Sequence, residues 1–302
     1  MTDTFQIDKH WLRRNFDRAA PHYDAAAVLQ HEIGQRLFER LELIKLQAEV
    51  IVDIGAGTGR QTRLLARRFP RAQTIALDLA PAMLGQARSQ VSWWQRWQRR
   101  QRFICADAEQ LPFADQTVDL LFSNVTLQWC ETPERIFAEF QRVLRPGGLL
   151  LFSSFGPDTL HELRHSWQAV DPHTHVNMFI DMHDLGDALL RTGLADPVMD
   201  MEMITLTYPD LRSLMSELKM IGAHNVTAGR PRGLTGRQRL QNLTRAYEAF
   251  RNPQDGRLPA SYEVIYGHAW KTAGRDSRQQ TDGSITIPLS TIRRNRAPDT
   301  LR

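Results

Sequence analysis

Short apolar runs alternate with longer amphipathic stretches through the middle of this chain. The apolar runs lie at 50–54, 74–77, 103–106, 118–123 and 149–153. Helical spacing follows several of them, at 62–68, from Pro81 onward and at 133–143. Because strands that alternate with helices pair in parallel, this pattern predicts an α/β fold with a doubly wound sheet and helices on both faces.

Helical spacing also covers the N-terminal region that precedes this alternation. Apolar residues recur on one face within 9–46, and Asp8 and Asp24 are candidate N-caps for two helices. We therefore predict an N-terminal helical arm over 1–48, which packs one face on an α/β core that extends over 49–156.

The pattern changes again after residue 156. Helical intervals predominate as far as residue 260, with one short strand-like run at 203–207, and a last strand-like run lies at 262–270. We predict a helical cover at 157–260, inserted near the carboxyl ends of the strands, and a final core strand at 261–273. The polar, Arg-rich remainder at 274–302 is predicted to be a flexible tail.

Composition excludes several classes of protein. No apolar run approaches the roughly 20 residues that a membrane helix needs, and the N-terminus lacks the apolar stretch of a signal peptide. The two cysteines, Cys105 and Cys130, lie far apart and form neither a zinc motif nor a disulfide framework. His173 and His175 are too weak a signal for a metal site. We therefore expect a reduced cytoplasmic protein with no metal and no membrane association.

A glycine-rich turn follows the first predicted strand. Residues 53–59 read DIGAGTG, which places an aspartate at the strand end and a GxGxG spacing before a helix. Glycine allows a tight turn and close approach of a ligand to the backbone, and the start of the helix offers free N–H groups. A dinucleotide fold would use a GxGxxG spacing instead.

Polar side chains also end the next three strands. Asp78 ends the second strand, where a carboxylate can accept hydrogen bonds from both hydroxyls of a ribose. Asp107 ends the third strand, where its carboxylate can accept from an adenine amine, and Asn124 follows the fourth. With the glycine turn, these positions predict one binding site along the carboxyl edge of the sheet.

This combination resembles the class I S-adenosylmethionine-dependent methyltransferases over residues 50–153. The resemblance implies a Rossmann-like sheet, S-adenosylmethionine as cofactor, S-adenosylhomocysteine as product, and contact of the glycine turn with the methionine moiety. No Asn-Pro-Pro-aromatic sequence follows the fourth strand, which disfavours acceptors with exocyclic or amide nitrogens. The predicted cofactor-binding residues are Asp53, Gly55, Ala56, Gly57, Gly59, Asp78, Leu79, Asp107, Ala108 and Asn124.

A narrower resemblance covers roughly residues 9–271, including the predicted arm and cover. The segments FDRAAPHYD at 16–24, LQWC at 127–130 and KMIGA at 219–223 resemble the malonyl-acyl-carrier-protein O-methyltransferases of biotin synthesis. The resemblance implies methyl transfer to the free carboxylate of a malonyl thioester, with malonyl-acyl carrier protein or malonyl-CoA as substrate. Such a carboxylate is already ionised at neutral pH. We therefore expect catalysis by alignment and exclusion of water, without a general base.

Three residues are candidates for the catalytic end of the site. Tyr23 can close the pocket over the cofactor, or it can simply pack the N-terminal arm. Gln128 and Trp129 follow the fourth strand near the expected methyl group, or they pack against the cover. The residue pattern leaves both interpretations open for each of them.

Basic residues in the cover suggest how an acidic carrier protein would bind, because such a partner needs a positively charged surface. The net charge of +4 is only a mild excess, and a solvated surface position is the alternative for any single residue. The candidate carrier-binding and substrate-binding cations are Lys219, Arg230, Arg232, Arg237 and Arg239 in the cover and Arg145 before the fifth strand.

Three alternative functions are compatible with parts of the sequence. Segments at 155–160 and 262–266 are also similar to complex I assembly proteins that act as arginine hydroxylases on a methyltransferase fold. The Arg-rich tail and the tryptophans Trp93, Trp94 and Trp97 would suit a nucleic-acid methyltransferase, although we expect no nucleic-acid partner. The glycine turn alone would also suit a dinucleotide oxidoreductase.

Overall fold

A computed structural model describes residues 7–92, 100–130, 132–226 and 236–272. Arg230, Arg232, the tryptophans near residue 95 and the predicted tail at 274–302 lie outside the described residues. No helix within the described ranges is both long enough and apolar enough to cross a bilayer.

Strands and helices alternate from residue 50 onward. The N-terminal helices are α1 (Lys9–Ala19), α2 (Tyr23–Ala26) and α3 (Val28–Glu42). The alternating core contains β1 (Val50–Ile54), α4 (Arg60–Arg68), β2 (Gln73–Asp78), α5 (Pro81–Ser89), β3 (Gln101–Cys105), β4 (Val118–Ser123), α6 (Pro133–Val143) and β5 (Leu144–Phe155). The later elements are α7 (His161–Gln168), α8 (Met182–Arg191), β6 (Leu194–Tyr208), α9 (Leu211–Met220), α10 (Arg237–Tyr247) and β7 (Leu258–Lys271).

The strands form a seven-stranded sheet in the order β3-β2-β1-β4-β5-β7-β6. Strands β1 to β5 pair in parallel, whereas β7 runs antiparallel to both β5 and β6. The predicted doubly wound α/β sheet is confirmed. The strand order reverses between β1 and β4, so the carboxyl ends of these two strands open the crevice in which such sheets bind ligands.

Apolar layers cover both faces of the sheet. Ile51 of β1 belongs to one layer, and its neighbours Val52 and Ile54 belong to the other, as the alternation of a strand requires. Helices α3, α7, α9 and α10 pack in the first layer, and α6 and α8 pack in the second. Helix α3 of the N-terminal arm therefore meets α7, α9 and α10 over the same face of the sheet.

One segment of the predicted helical cover is instead a long edge strand. Strand β6 pairs with β7 along nearly its whole length. The sequence predicts a strand only at 203–207 in this segment, and the structure extends that strand back to Leu194, because acidic residues and a proline interrupt the apolar pattern of its first half. Arg36 and Arg40 of α3 bind two of those acids, Glu202 and Asp200, at 2.5 and 2.6 Å.

Of the two N-caps predicted in the arm, the structure shows one and not the other. Asp8 accepts a hydrogen bond from the Trp11 N–H at 2.9 Å and caps α1, as expected. Asp24 does not cap a helix, since His22 occupies the N-cap of α2. Its carboxylate instead accepts from the Thr58 hydroxyl at 2.5 Å. The arm is thereby tied directly to the glycine-rich turn after β1.

Two glycines provide a test of how tightly the sheet is packed. A Cβ at Gly267 in β7 would collide with the ring of Phe152, whereas no atom of the described residues lies within 4 Å of a Cβ at Gly85 in α5. We expect Gly267→Ala to destabilise the protein by about 1–3 kcal/mol through overpacking. The control Gly85→Ala should stabilise it by about 0.5–1 kcal/mol, because alanine favours the helix. Urea unfolding of both variants measures the difference, and equal midpoints would contradict this description of the core.

Candidate active site

The glycine turn after β1 forms part of the wall of a cavity of about 430 Å³. Gly55 and Gly57 line it, and both have left-handed backbone angles, with φ of +67° and +53°. A Cβ at Gly55 would collide with Thr126, so only glycine fits at that position. The volume lies within the range of small-molecule sites, about 300–1,000 Å³.

Asp78 lies at the end of β2 and joins the glycine turn to the start of α5. Its carboxylate accepts from the Gly57 N–H and from the Ala80 N–H, each at 2.8 Å. Burial raises the pKa of Asp78 to about 6, although these backbone hydrogen bonds oppose the shift. The carboxylate lines the cavity, where it can accept from hydroxyl groups of a ligand.

Asp107 lies beyond the end of β3 and also lines the cavity. Its carboxylate forms an ion pair with Lys9 of α1 at 2.6 Å, and Lys9 also contacts the buried Glu109 at 2.9 Å. Burial alone would lower the pKa of Lys9, but the hydrogen bonds to both carboxylates raise it overall. The arm therefore neutralises negative charge at this end of the cavity.

Asp53 has a structural position beneath the turn and does not line the cavity. Its side chain is buried and accepts from the Thr62 hydroxyl of α4 at 2.5 Å. Burial raises the pKa of Asp53 to about 7, the hydrogen bond from Thr62 opposes this, and the nearby charge of Asp78 raises it further. The carboxylate thus holds α4 against the end of β1.

The loop after β4 is strained where it enters the cavity. Val125 has a φ of +51°, which is a costly conformation for a β-branched residue. Its N–H donates to Ser153 Oγ at 3.0 Å, and its carbonyl accepts from Gln128 Nε2 at 2.7 Å. Asn124 is fixed by donating to the Gln30 carbonyl at 2.9 Å. These bonds hold the loop in its strained form at the mouth of the crevice.

The N-terminal arm closes one side of the cavity. Tyr23 lies over the turn, with its ring about 4.0 Å from the position of a Cβ at Gly57. Burial, followed by the charges of Asp78 and Asp24, raises the pKa of Tyr23. Phe16 of α1 packs edge-on against Trp129, with ring centroids 5.6 Å apart.

The cavity continues from these residues into an apolar chamber under the later helices. Aromatic side chains dominate its walls, and Lys219, an exposed residue of α9, lies at its margin. The chamber residues used below are Phe155, Leu163, Trp167, His175, Phe179 and Tyr262. Together the two ends form a single space that can hold a nucleoside-like ligand and an elongated acceptor.

The structure brings most of the predicted site residues together. The predicted residues that line the cavity are Tyr23, Gly55, Gly57, Asp78, Leu79, Asp107, Ala108, Asn124, Gln128, Trp129 and Lys219. Ala56 and Gly59 do not line it. The Ala56 N–H donates to the Leu77 carbonyl at 3.0 Å, and Gly59 is the N-cap of α4.

The predicted role of Arg145 is wrong. This residue lies at the start of β5, and its guanidinium binds Asp119 at 3.0 Å. Asp119 also accepts from the Val50 N–H at the start of β1. The amino ends of parallel strands lie at the edge of the sheet opposite the cavity, so Arg145 secures that edge and cannot reach an acceptor.

The remaining predicted cations lie on α10 or outside the described residues. Arg237 is the first residue of α10 and is exposed. Arg239 is about half exposed and lies 3.9 Å from Asp171. Arg230 falls in the interval that the structure does not describe. The predicted carrier-binding cations that the structure describes with exposed side chains are therefore Arg237 and Arg239 on α10 and Lys219 on α9.

Several residues that line the cavity were not predicted from the sequence as site residues. Lys9, Leu12 and Phe16 of α1 reach the cavity, and so do Trp167 and His175 of the cover. The spacing of Leu12 and Phe16 on one helix face could have indicated a buried surface. Nothing local distinguishes Lys9, because its partner carboxylates lie far along the chain.

The comparisons with known proteins agree with this geometry. A family model described as a methyltransferase domain matches residues 52–152. The malonyl-[acyl-carrier protein] O-methyltransferase of Laribacter hongkongensis is 52% identical over 95% of this chain and 97% of its own length. The protein of that name from Gallionella capsiferriformans is 51% identical over 95% and 98%. This chain belongs to that family. It is an S-adenosylmethionine-dependent methyltransferase.

Solved structures share the fold at low sequence identity. The YcgJ protein of Bacillus subtilis has a TM-score of 0.55 and 20% identity, over 79% of this chain and 98% of that one. A putative methyltransferase from Bacillus halodurans has a TM-score of 0.53 and 19% identity, over 78% and 98%. Because the chain belongs to a methyltransferase family, the alternative that the glycine turn belongs to a dinucleotide oxidoreductase is rejected.

The residues present fit S-adenosylmethionine. A Cβ at Gly55 or Gly57 would take up space beside the cavity, and two separate carboxylates, Asp78 and Asp107, line the cavity at the ends of neighbouring strands. Asp78 would hold the ribose, and Asp107 would hold the adenine amine while it remains paired with Lys9. In the described residues, no group of three or more His, Cys, Asp or Glu side chains is arranged to bind a metal ion.

The pKa of Asp78 predicts how cofactor affinity depends on pH. The raised value, about 6, means that the carboxyl becomes protonated as the pH falls through that value. Because the ribose hydroxyls donate to the ionised form, the affinity for S-adenosylmethionine should fall between pH 7 and pH 5, by about tenfold per unit below the pKa. Calorimetry at several pH values measures this.

Asp78→Asn supplies the control for that experiment. The variant should bind more weakly at neutral pH, and its affinity should change little across the same pH range because the titrating group is gone. An unchanged pH slope in the folded variant would mean that another group controls binding.

Proposed function

We propose that this methyltransferase esterifies the free carboxylate of a malonyl thioester carried by an acyl carrier protein. The observation that carries the proposal is one continuous cavity with two chemically different ends. Carboxylates lie at its cofactor end, and apolar and aromatic side chains line the acceptor end. The relatives' names describe this acceptor, and those proteins align with this chain over nearly their full length.

Two titratable side chains that line the cavity, Tyr23 and Cys130, support an acceptor that needs no general base. When bound, S-adenosylmethionine supplies a methyl group on a positively charged sulfur, which an ionised carboxylate attacks directly. Burial raises the pKa values of Tyr23 and Cys130, so both stay protonated at neutral pH and neither can remove a proton. A hydroxyl or amine acceptor would require such a base, whereas a carboxylate does not.

The walls of the cavity supply alignment and exclusion of water. Tyr23 and Phe16 cover the cofactor end, and Phe155 and Phe179 contact each other edge-on with centroids 5.9 Å apart in the acceptor end. Opposite charges on donor and acceptor cancel as the methyl group moves, so a site with little water favours the transition state. Gln128 and Trp129 also line the cavity, and in this proposal they position the acceptor.

Methyl transfer to malonyl-acyl carrier protein tests the proposal directly. The expected product is heavier by one methylene group in mass spectrometry of the carrier. Acetyl-acyl carrier protein, which lacks the free carboxylate, should remain unmodified, and malonyl-CoA tests whether the carrier is required. If malonyl-acyl carrier protein is not methylated although S-adenosylmethionine binds, the proposed acceptor is wrong and the methyltransferase assignment stands.

The same proposal includes a cytoplasmic location and an acyl carrier protein as the partner. Cys105 and Cys130 are both free, as expected in the reducing cytoplasm. Arg239 on α10 lies 3.9 Å from Asp171, whose partner His175 lines the acceptor end, and Lys219 on α9 lines the cavity. With exposed Arg237 on the same helix as Arg239, these cations are the docking surface in this proposal. An acidic carrier protein would bind there and insert its prosthetic arm.

Charge reversal tests this docking surface. Replacing Arg237 and Arg239 by Glu should raise the KM for malonyl-acyl carrier protein by about fivefold or more, since opposite charges steer association. Arg71→Glu, an exposed site at the opposite edge of the sheet, serves as the control. An equal effect on malonyl-N-acetylcysteamine, which has no carrier, would show that these arginines act on the chamber and not on docking.

A further inference from the structure

A histidine that is paired with an aspartate forms part of the wall of the acceptor end. His175 lines the main cavity, and its Nε2 lies 2.8 Å from Asp171 Oδ1. The side chains of the two residues are only 11% and 6% exposed. The imidazole also stacks on Trp167, with ring centroids 3.6 Å apart and planes 7° from parallel. Two contacts therefore fix the orientation of this ring.

Asp171 provides a negative charge behind the imidazole. Burial alone would raise the pKa of Asp171, but hydrogen bonds from the His175 side chain and the His173 N–H, with the charges of His175 and Arg239, lower it overall. Within the described part of the chain its second oxygen has no hydrogen bond, and it lies 3.9 Å from Arg239. Because Asp171 engages Nε2 of the imidazole, Nδ1 is the ring nitrogen left for a ligand.

The other basic groups that line the cavity in the described residues are less suited to hold an anion. Lys9 is engaged by Asp107 and Glu109. Lys219 is exposed to solvent, where a charge is screened. Burial, followed by the charges of Lys219 and Arg18, lowers the pKa of His224 and favours its neutral form. His175 combines burial with a carboxylate partner.

We propose that His175 is the cation that binds the carboxylate of the acceptor, with Asp171 and Trp167 as positioning residues. This inference rests on the proposed function, because only an anionic acceptor requires such a group. Nε2 is used by Asp171, so Nδ1–H would donate to one carboxylate oxygen. The other oxygen stays free to attack the methyl group. A single donor of this kind orients the acceptor and leaves its nucleophile available.

A substitution that keeps the ring but removes its nitrogens tests the role of His175. His175→Phe preserves stacking on Trp167, and dissociation constants are measured with S-adenosylhomocysteine present. Affinity for malonyl-acyl carrier protein should fall about tenfold or more, as expected for the loss of a hydrogen bond to a charged group. Affinity for the methyl ester of the same carrier, which has no negative charge, should change less than about twofold.

Matched variants identify the outcomes that overturn the proposal. His173→Phe changes a neighbouring exposed histidine and should leave both affinities intact. Asp171→Asn should raise the KM for the malonyl carrier more than it lowers kcat. Equal losses for the acid and its ester in His175→Phe would show a packing role, and charge-specific loss in Lys219→Met alone would assign the anchor to Lys219. If the wild-type protein neither binds nor methylates the malonyl carrier, the proposed function itself fails.

Discussion

The hydrogen bond from the Gly57 N–H to the carboxylate of Asp78 fixes the glycine turn against the end of the neighbouring strand, and the geometry of the site depends on it. It joins the turn after β1 to the end of β2, and the bond from the Ala56 N–H to the Leu77 carbonyl runs beside it. The carboxylate that shapes the turn is also the one available to a ribose. If Asp78 holds the ribose as predicted, the same side chain shapes the turn and binds the cofactor.

The same region concentrates negative charge in a place with little water. Burial raises the pKa of Asp53 to about 7 and that of Asp78 to about 6, and the charge of Asp78 contributes to the shift at Asp53. Two buried acids repel each other strongly where solvent screening is weak. Hydrogen bonds from the Thr62 hydroxyl to Asp53 and from the Gly57 and Ala80 N–H groups to Asp78 oppose both shifts, so hydrogen bonding favours the ionised form of each acid at the turn.

Sequence reasoning succeeds where function follows the end of a recognisable strand. Gly55, Asp78 and Asp107 each follow an apolar run, so the topology of a parallel sheet predicts their meeting at one edge. Lys9 escapes because its contact with Asp107 spans 98 residues of sequence. Arg145 is misassigned because a turn before a strand lies at the opposite edge. Only the second half of β6 is predicted, because polar residues interrupt the apolar pattern of its exposed first half.

The arm and the cover act as one structure, since the two segments outside the cofactor core contact each other. Ile221, from the KMIGA segment after α9, packs with Ala26 and Ala27 of the arm. A Cβ at Gly222 would lie 3.2 Å from Phe16, so the arm and this segment of the cover pack as closely as a glycine permits. Tyr23 touches this same cluster while its ring lies over the glycine turn. The residues that cover the cofactor end and those that form the acceptor chamber are therefore held by the same contacts. This explains why the chain has both the arm and the cover in addition to the α/β core.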